Sequence, residues 1–303
     1  MGTPAFAVPS LRALARATEL VGVVSQPDRP RGRGLGSEAS PVSVAAGELG
    51  VPLLRPTSVR ANETQSALAA WRPDLLVVAA YGKILPPALL ALPTLAPMNV
   101  HASLLPRHRG AAPIAAAIRA GDVATGITLM LMSEGLDAGD VLLQRALAIA
   151  PDDTTERLTT KLAELGAATL ADGLALLRTS GLHAKAQDER LVTYAPRLTR
   201  EDGRIRWTDD AVAIERMVRA FTPWPSAFTT LAGRTVKIVA ARILDVDATP
   251  GPAGAIRVAN DVLHVTTGRG TLGVVTLQAE GKKALPAAAF AAGARLAADA
   301  RFV

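Results

Sequence analysis

The run Asp74-Leu-Leu-Val-Val-Ala-Ala-Tyr-Gly82 constrains the fold more than any other stretch of the chain. Its apolar residues are consecutive, without the in-and-out alternation of a strand that faces water on one side. A strand buried on both faces belongs in a parallel sheet covered by helices above and below. Glu19–Ser25 is a second such run, and Pro97–Val100 and Thr125–Met132 continue the series. Helical patterns fall between them, over 10–18, 40–50, 62–71 and 111–120. The last carries Pro113 in its first turn and Gly121 just past its end, as helix start and stop chemistry requires. The alternation predicts an α/β domain with an open, doubly wound, mostly parallel Rossmann-like sheet. Such sheets bind ligands beyond the carboxyl ends of their strands, and Asn99–His101 stands at one such end. A doubly wound domain normally opens with a strand, whereas this chain opens at Met1-Gly2-Thr3-Pro4, which reads as the turn after one. The expectation is a first strand missing or truncated, with Met1 an internal methionine.

Residues 153–177 read as one long amphipathic helix, opened by Asp152-Asp153-Thr154-Thr155-Glu156, whose capping and acidic groups suit a helix N-terminus. The stretch 178–208 is polar and turn-rich. After it come a short helix (211–221), the turn Thr222-Pro-Trp-Pro-Ser226, and short β runs at 235–239, 262–266 and 272–277 between glycine turns. That spacing predicts a small, OB-like β-barrel. The expected division is a Rossmann-like catalytic domain over 1–178, a linker over 179–208 and the barrel over 209–303.

Hydrophobic residues form 49% of the 303, enough for two cores. No apolar run nears the roughly 20 residues that span a bilayer, and no basic segment leads into an apolar one at the start. The expectation is a cytoplasmic protein without a membrane partner. The absence of cysteine excludes thiolate zinc sites, disulfides and cysteine nucleophiles. Charge is uneven: 181–303 holds 17 Lys and Arg against 12 Asp and Glu, while 1–180 holds 16 against 15. The basic second half reads either as a surface for a polyanion or as a merely soluble Arg-rich face.

The chemistry concentrates in Met98-Asn-Val-His-Ala-Ser-Leu-Leu-Pro-Arg-His-Arg-Gly110. Asn99 and His101 lie two apart and therefore project to one side of a strand. His101 reads either as a strand-end histidine satisfied by backbone groups or, beside the Asn99 amide, as a stabiliser of a carbonyl oxygen that gains charge. Such an imidazole wants a carboxylate to orient it, and Glu134, Asp137 and Asp140 follow the next strand. His101 and His108 have no ligand-rich company, so no metal is expected. Gln26-Pro-Asp-Arg-Pro-Arg-Gly-Arg-Gly-Leu-Gly36 matches neither a Walker loop nor a dinucleotide fingerprint. It reads as a flexible surface loop or a phosphate-contacting one.

Asn99-Val-His101-Ala-Ser-Leu-Leu-Pro106 with Gly135-Leu-Asp137-Ala-Gly-Asp140 resembles the signature of the folate-dependent formyltransferases. Further segments narrow the resemblance to the branch acting on initiator methionyl-tRNA: Gly2–Pro9, Gln26–Pro30 with Gly32–Gly34, Arg107–Pro113, Tyr194–Leu198, Arg219–Pro225 and Leu277–Lys283. The likeness covers nearly the whole chain. It implies formyl transfer from 10-formyltetrahydrofolate to the methionyl α-amino group, with Asn99, His101 and Asp137 as catalytic residues. It implies a folate pocket along Tyr81, Ile84 and Leu85, with Ser103, Leu104, Leu105, Pro106 and Glu134. It further implies Phe6 as a wall for the methionine side chain, and Arg31, Arg33, Arg107, Arg109, Lys282 and Lys283 as tRNA contacts, in a monomer. Relatives carry lysines where this chain has Leu35-Gly-Ser-Glu38, and an aromatic residue at the place of His108. The rival readings are a formyltransferase for a nucleotide sugar or glycinamide ribonucleotide, a noncatalytic tRNA-binding protein, and a dinucleotide oxidoreductase, the last without its glycine fingerprint.

Overall fold

The computed structural model describes residues 1–31, 36–179, 181, 183–248, 251–294, 296–297 and 299–303. The chain forms two compact units. The first comprises Met1–Pro113, Ala124–Ala148 and Leu158–Pro196; the second comprises Ile114–Val123, Ile149–Arg157 and Arg197–Val303. No described helix is long and apolar enough to cross a membrane.

In the first unit, β1 (Val23–Val24) pairs in parallel with β2 (Leu53–Leu54). A four-stranded sheet follows in the order β3 (Leu75–Val78), β4 (Ala96–His101), β5 (Ala124–Leu131) and β6 (Val141–Ala148). β3 and β4 are parallel, with Val78 opposite Asn99. β5 runs antiparallel to β4 and to β6, which corrects the expectation that 125–132 extends the parallel series. A run buried on both faces looks the same in either direction, so the pattern gave no hint of the reversal. The sheet is Rossmann-like and mixed.

Between β1 and β3 lie Met1 and Gly2. The Gly2 N–H donates to Val24 O, and Gly2 bridges Ala79 in parallel. Beside them a cavity of about 570 Å³ is lined by apolar side chains that include Leu11, Leu14, Val23, Leu75, Val77 and Leu174.

β4 shows how sequence alternation positions the site. Ala96, Met98 and Val100 are buried on one face, where Val100 packs against Gly166 of the helix Thr155–Thr179. Asn99 and His101 therefore project from the other face. β3 and β4 end side by side, so the loops over 79–86 and 102–110 share the carboxyl edge where such sheets bind ligands.

In the second unit an antiparallel sheet runs β7 (Ala227–Leu231), β8 (Arg234–Asp245), β11 (Thr271–Ala279), β10 (Val262–Thr266), β9 (Ile256–Ala259), with β12 (Leu285–Pro286) beside β11. Its end strands β7 and β9 do not pair with each other, so the ladder path is open rather than a closed barrel. The segment 300–303 meets both ends through isolated bridges, Leu231 to Phe302 and Ala255 to Arg301. Phe302 stacks on the buried Trp207 with ring centroids 5.3 Å apart, and the core beneath holds Val236, Ile238, Leu263, Val274 and Leu277.

Candidate active site

Asn99, His101 and Asp137 converge in the first unit. The Asp137 carboxylate accepts from the Gly110 N–H at 2.9 Å and from Asn99 Nδ2 at 3.4 Å, and it lies 3.6 Å from His101 Nδ1. Three donor groups thus point at one carboxylate, a pocket built to hold negative charge. His101 is buried, and its Nε2 donates to the His108 carbonyl at 3.0 Å. An acceptor thus lies beyond each ring nitrogen. Both the Asn99 and the His101 contacts are long, at or beyond the outer limit of a hydrogen bond.

Asp137 does not reach this position through strand direction, as the parallel reading assumed. Because β5 is antiparallel, Leu131 lies opposite Met98 and the loop 132–140 opens three residues before His101. The loop must fold back along β4, and Asp137 takes a left-handed φ of 48° to do so. A residue held there needs support from its surroundings, and Gln187 supplies it. Its Nε2 donates to Asp137 O at 2.8 Å and Gly139 O at 2.7 Å, while its Oε1 accepts from Arg109 Nε at 3.1 Å and Nη2 at 2.9 Å. Arg109 is clasped in turn by Glu189. The following residues tie down the other side of the site. His108 N–H donates to Thr193 Oγ1, Arg109 N–H to Thr193 O, and Tyr194–Ala195 pairs in parallel with Arg109–Gly110. Gly110 has a φ of 123°, and a Cβ on it would meet Ala195 O at 2.6 Å, so the Gly110 N–H reaches Asp137 only because the residue is glycine.

Gln187, Thr193 and Gly110 escaped the sequence reading. The first two lie about 50 residues beyond Asp137 in a stretch read as linker. The Tyr194–Leu198 resemblance was the available sign that this stretch is not featureless.

The turn Ser103–Pro106 is locked from below. Thr128 Oγ1 donates to Ser103 O and accepts from Leu105 N–H, and Gln144 Nε2 donates to Leu105 O. Ser103 Oγ donates to Arg107 O at 2.6 Å. Gly126 lets the turn approach, since a Cβ there would meet Arg145 O and Leu104 Cδ2.

The remaining residues singled out in the sequence separate by burial. Tyr81 and Leu85 belong to the core cluster with Val24, Leu68 and Leu89 rather than lining an open pocket. Tyr81 is 1% exposed, its hydroxyl has no partner among the described residues, and burial pushes its phenol up to about 12. Ser103 and Leu105 are likewise buried, while Leu104 and Pro106 are half-buried and Glu134 is exposed. Ile84, at 72% exposed, and Leu136, which the motif contained but the site reading passed over, are the large aliphatics shown to solvent by the two flanking loops. Phe6 is buried in the turn Ala5–Ala7. Arg109, expected at an entrance for tRNA, is 3% exposed, and its N–H groups are spent on Gln187 and Glu189, so its role is internal. Arg107 is exposed, as are Lys282 and Lys283 in the second unit. Arg31 sits in a short ladder, 29–31 with 36–38, where only the backbone is described, and Arg33 lies outside the described residues. Among the described residues no three His, Asp or Glu side chains group to cradle a metal ion.

Residues 3–174 match the family model described as formyl transferase, and 197–295 match that of the formyl transferase C-terminal domain. A protein of Stenotrophomonas maltophilia (strain K279a) named methionyl-tRNA formyltransferase is 51% identical over 289 residues, 95% of this chain and 94% of its own. Two solved structures share the fold at low identity. WlaRD, a sugar 3N-formyl transferase in the presence of dTDP and 5-N-formyl-THF, gives a TM-score of 0.66 at 15% identity, over 93% of this chain and 97% of that one. HypX from Aquifex aeolicus, in complex with tetrahydrofolic acid, gives 0.60 at 20% identity, over 81% of this chain and 43% of that longer one.

Proposed function

The chain belongs to the formyl transferase family, and from that premise we infer that it transfers a formyl group from 10-formyltetrahydrofolate to the α-amino group of methionine on initiator tRNA, for translation initiation. The observation that carries the reading is the convergence of Asn99, His101 and Asp137 on one anion-holding pocket, in a chain 51% identical to a methionyl-tRNA formyltransferase.

The folate fits the carboxyl edge of β3 and β4, where loops 79–86 and 132–140 each expose an aliphatic, Ile84 and Leu136, to wall a flat ring. Backbone groups of loop 132–140 and Glu134 fix its polar edge, with Leu104 and Pro106 alongside. The folate supplies the formyl group, and the rest is the work of the chain's own residues. The methionyl amine enters neutral, its ammonium proton given up to solvent, and its lone pair attacks the formyl carbon. As the new C–N bond forms, the carbonyl oxygen gains charge, and Asn99 Nδ2 and a charged His101 hold it. Their 3.4 and 3.6 Å contacts to Asp137 leave both free to shorten onto that oxygen. Asp137 orients His101 and, directly or through a water, relays the proton shed by the attacking nitrogen to the departing folate nitrogen as the old C–N bond breaks. Phe6 walls the methionine side chain, while Arg31, Arg33, Arg107, Lys282 and Lys283 draw the tRNA backbone.

The enzyme acts as a monomer in the cytoplasm, where charged initiator tRNA is used. Its architecture is a catalytic Rossmann-like domain over 1–178, a connecting segment over 179–208 that lends Gln187 and Thr193 to the site, and an OB-like tRNA-binding domain over 209–303 whose strand ladder stays open. The test is direct: protein, 10-formyltetrahydrofolate and charged initiator tRNA are mixed, and formylmethionyl-tRNA is measured. Product forms under this reading. Formylation of a sugar amine instead, with none of the tRNA product, would overturn it.

A further inference from the structure

The turn Thr222-Pro-Trp-Pro-Ser226 takes no part in the chemistry above, yet it leaves Trp224 52% exposed. The other two tryptophans are better covered: Trp207 is buried and stacked on Phe302, and Trp71 is half-buried. An exposed tryptophan is costly apolar surface, and it acquires meaning when its neighbours single out a ligand.

Trp224 lines a cleft of about 280 Å³ with Arg200, Pro225, Phe228, Thr235 and Lys237, all within the second unit. The β7–β8 register explains the company. Lys237 lies directly opposite Phe228, and Thr235 opposite Thr230, so these side chains share one face while Val236 and Ile238 enter the core on the other. Two guanidiniums cover the Phe228 ring, Arg204 at 5.0 Å and Arg200 at 5.9 Å from its centroid. Arg204 is neutralised by Glu201 at 2.9 Å. Arg200, which also acts on the Glu201 carboxylate, and Lys237 form no ion pair among the described residues. A flat exposed ring beside two cations that form no ion pair among the described residues suits a ligand that is planar and anionic. At this volume it is one ring system, below the roughly 300–1,000 Å³ of sites for drug-sized ligands.

We propose that this cleft seats one unstacked base of the tRNA on the Trp224 indole, with the flanking phosphates held by Lys237 and Arg200. The proposal rests on the reading that tRNA is the acceptor. Base-on-aromatic stacking tolerates any base, so the contact contributes capture rather than sequence choice. The surplus of basic residues in this half of the chain supplies the surrounding field.

Titrating initiator tRNA against the full-length protein should quench tryptophan fluorescence, and Trp224→Phe should abolish most of that change. In the formylation assay Trp224→Ala should raise KM for methionyl-tRNA by roughly 5- to 150-fold, with Trp224→Phe falling between it and the parent. The kcat at saturating tRNA and the KM for folate should move little. Lys237→Gln should flatten the plot of log affinity against log salt by about one unit. A parental KM in Trp224→Ala, in a parent that forms formylmethionyl-tRNA, overturns the cleft assignment alone. A parent that forms no such product overturns the acceptor reading and this proposal with it. Fluorescence that responds equally to poly-glutamate marks an acidic-peptide site and overturns the RNA assignment.

Discussion

The pocket around Asp137 and the cleft around Trp224, the two sites proposed above, are built in opposite ways. At Asp137 almost every polar atom is committed to another: Gly110 N–H, Gln187, Arg109 and Thr193 form a continuous lattice with buried guanidinium and imidazole groups. At Trp224 the side chain is half in solvent, and two neighbouring cations form no ion pair among the described residues. Bond-making requires donors fixed to a fraction of an ångström before the charge appears. Holding a polyanion requires only charge and a flat surface, and tolerates side chains that adjust. Lesions at the first site should therefore appear in kcat and lesions at the second in KM for tRNA.

The largest break in that contrast should come from His101→Ala. Losing one oxyanion donor costs on the order of 100- to 1,000-fold in rate, so single-turnover formylation should slow by that factor while tRNA affinity holds. Near-normal turnover would remove His101 from the chemistry. Next is Gln187→Ala, which touches no substrate but frees the Asp137 loop. A misplacement of about 1 Å can cost on the order of 100-fold, and we expect 10- to 100-fold in kcat with KM for tRNA unchanged. The decisive measurement is a double-mutant cycle with Asp137→Ala. If Gln187 acts by positioning Asp137, its loss should have little further effect in that background, whereas full additivity would refute positioning.

Trp224→Ala comes third and mirrors Gln187→Ala, with the effect moved from kcat to KM. The mildest variants are Lys282→Gln and Lys283→Gln, exposed and outside the cleft. Each should weaken tRNA a few-fold at low salt and reduce the salt slope by about one. Filter binding across a salt series would show it, and an unchanged slope would class them as ordinary surface lysines.

Much of this was legible in the residues. Consecutive apolar residues in 74–82 pointed to a covered sheet, and the two-residue spacing of Asn99 and His101 gave their common face. Direction was not legible: nothing in Thr125–Met132 distinguishes a parallel neighbour from an antiparallel one. Nor was the lattice around Asp137, because hydrogen bonds between residues 50 to 80 apart leave no local pattern. Arg109 shows the same limit from the other side. Beside Arg107 it looks like a surface charge, and only the arrival of Gln187 and Glu189 makes it internal. The barrel reading caught the strands and missed the open ends, since closure depends on pairing between β7 and β9 and not on any single strand.

The lattice reaching back from Gln187 also bears on how the chain can be dissected. The region matching the formyl transferase family model stops at 174, thirteen residues before Gln187 in the numbering. A fragment cut at that border would keep β4, Asn99, His101 and Asp137, and would lose every group from 187 to 195 that fastens the Asp137 loop and Gly110. The border of sequence likeness and the border of the working site thus fall at different places, and a catalytic fragment meant for study in isolation would need to run to at least Ala195.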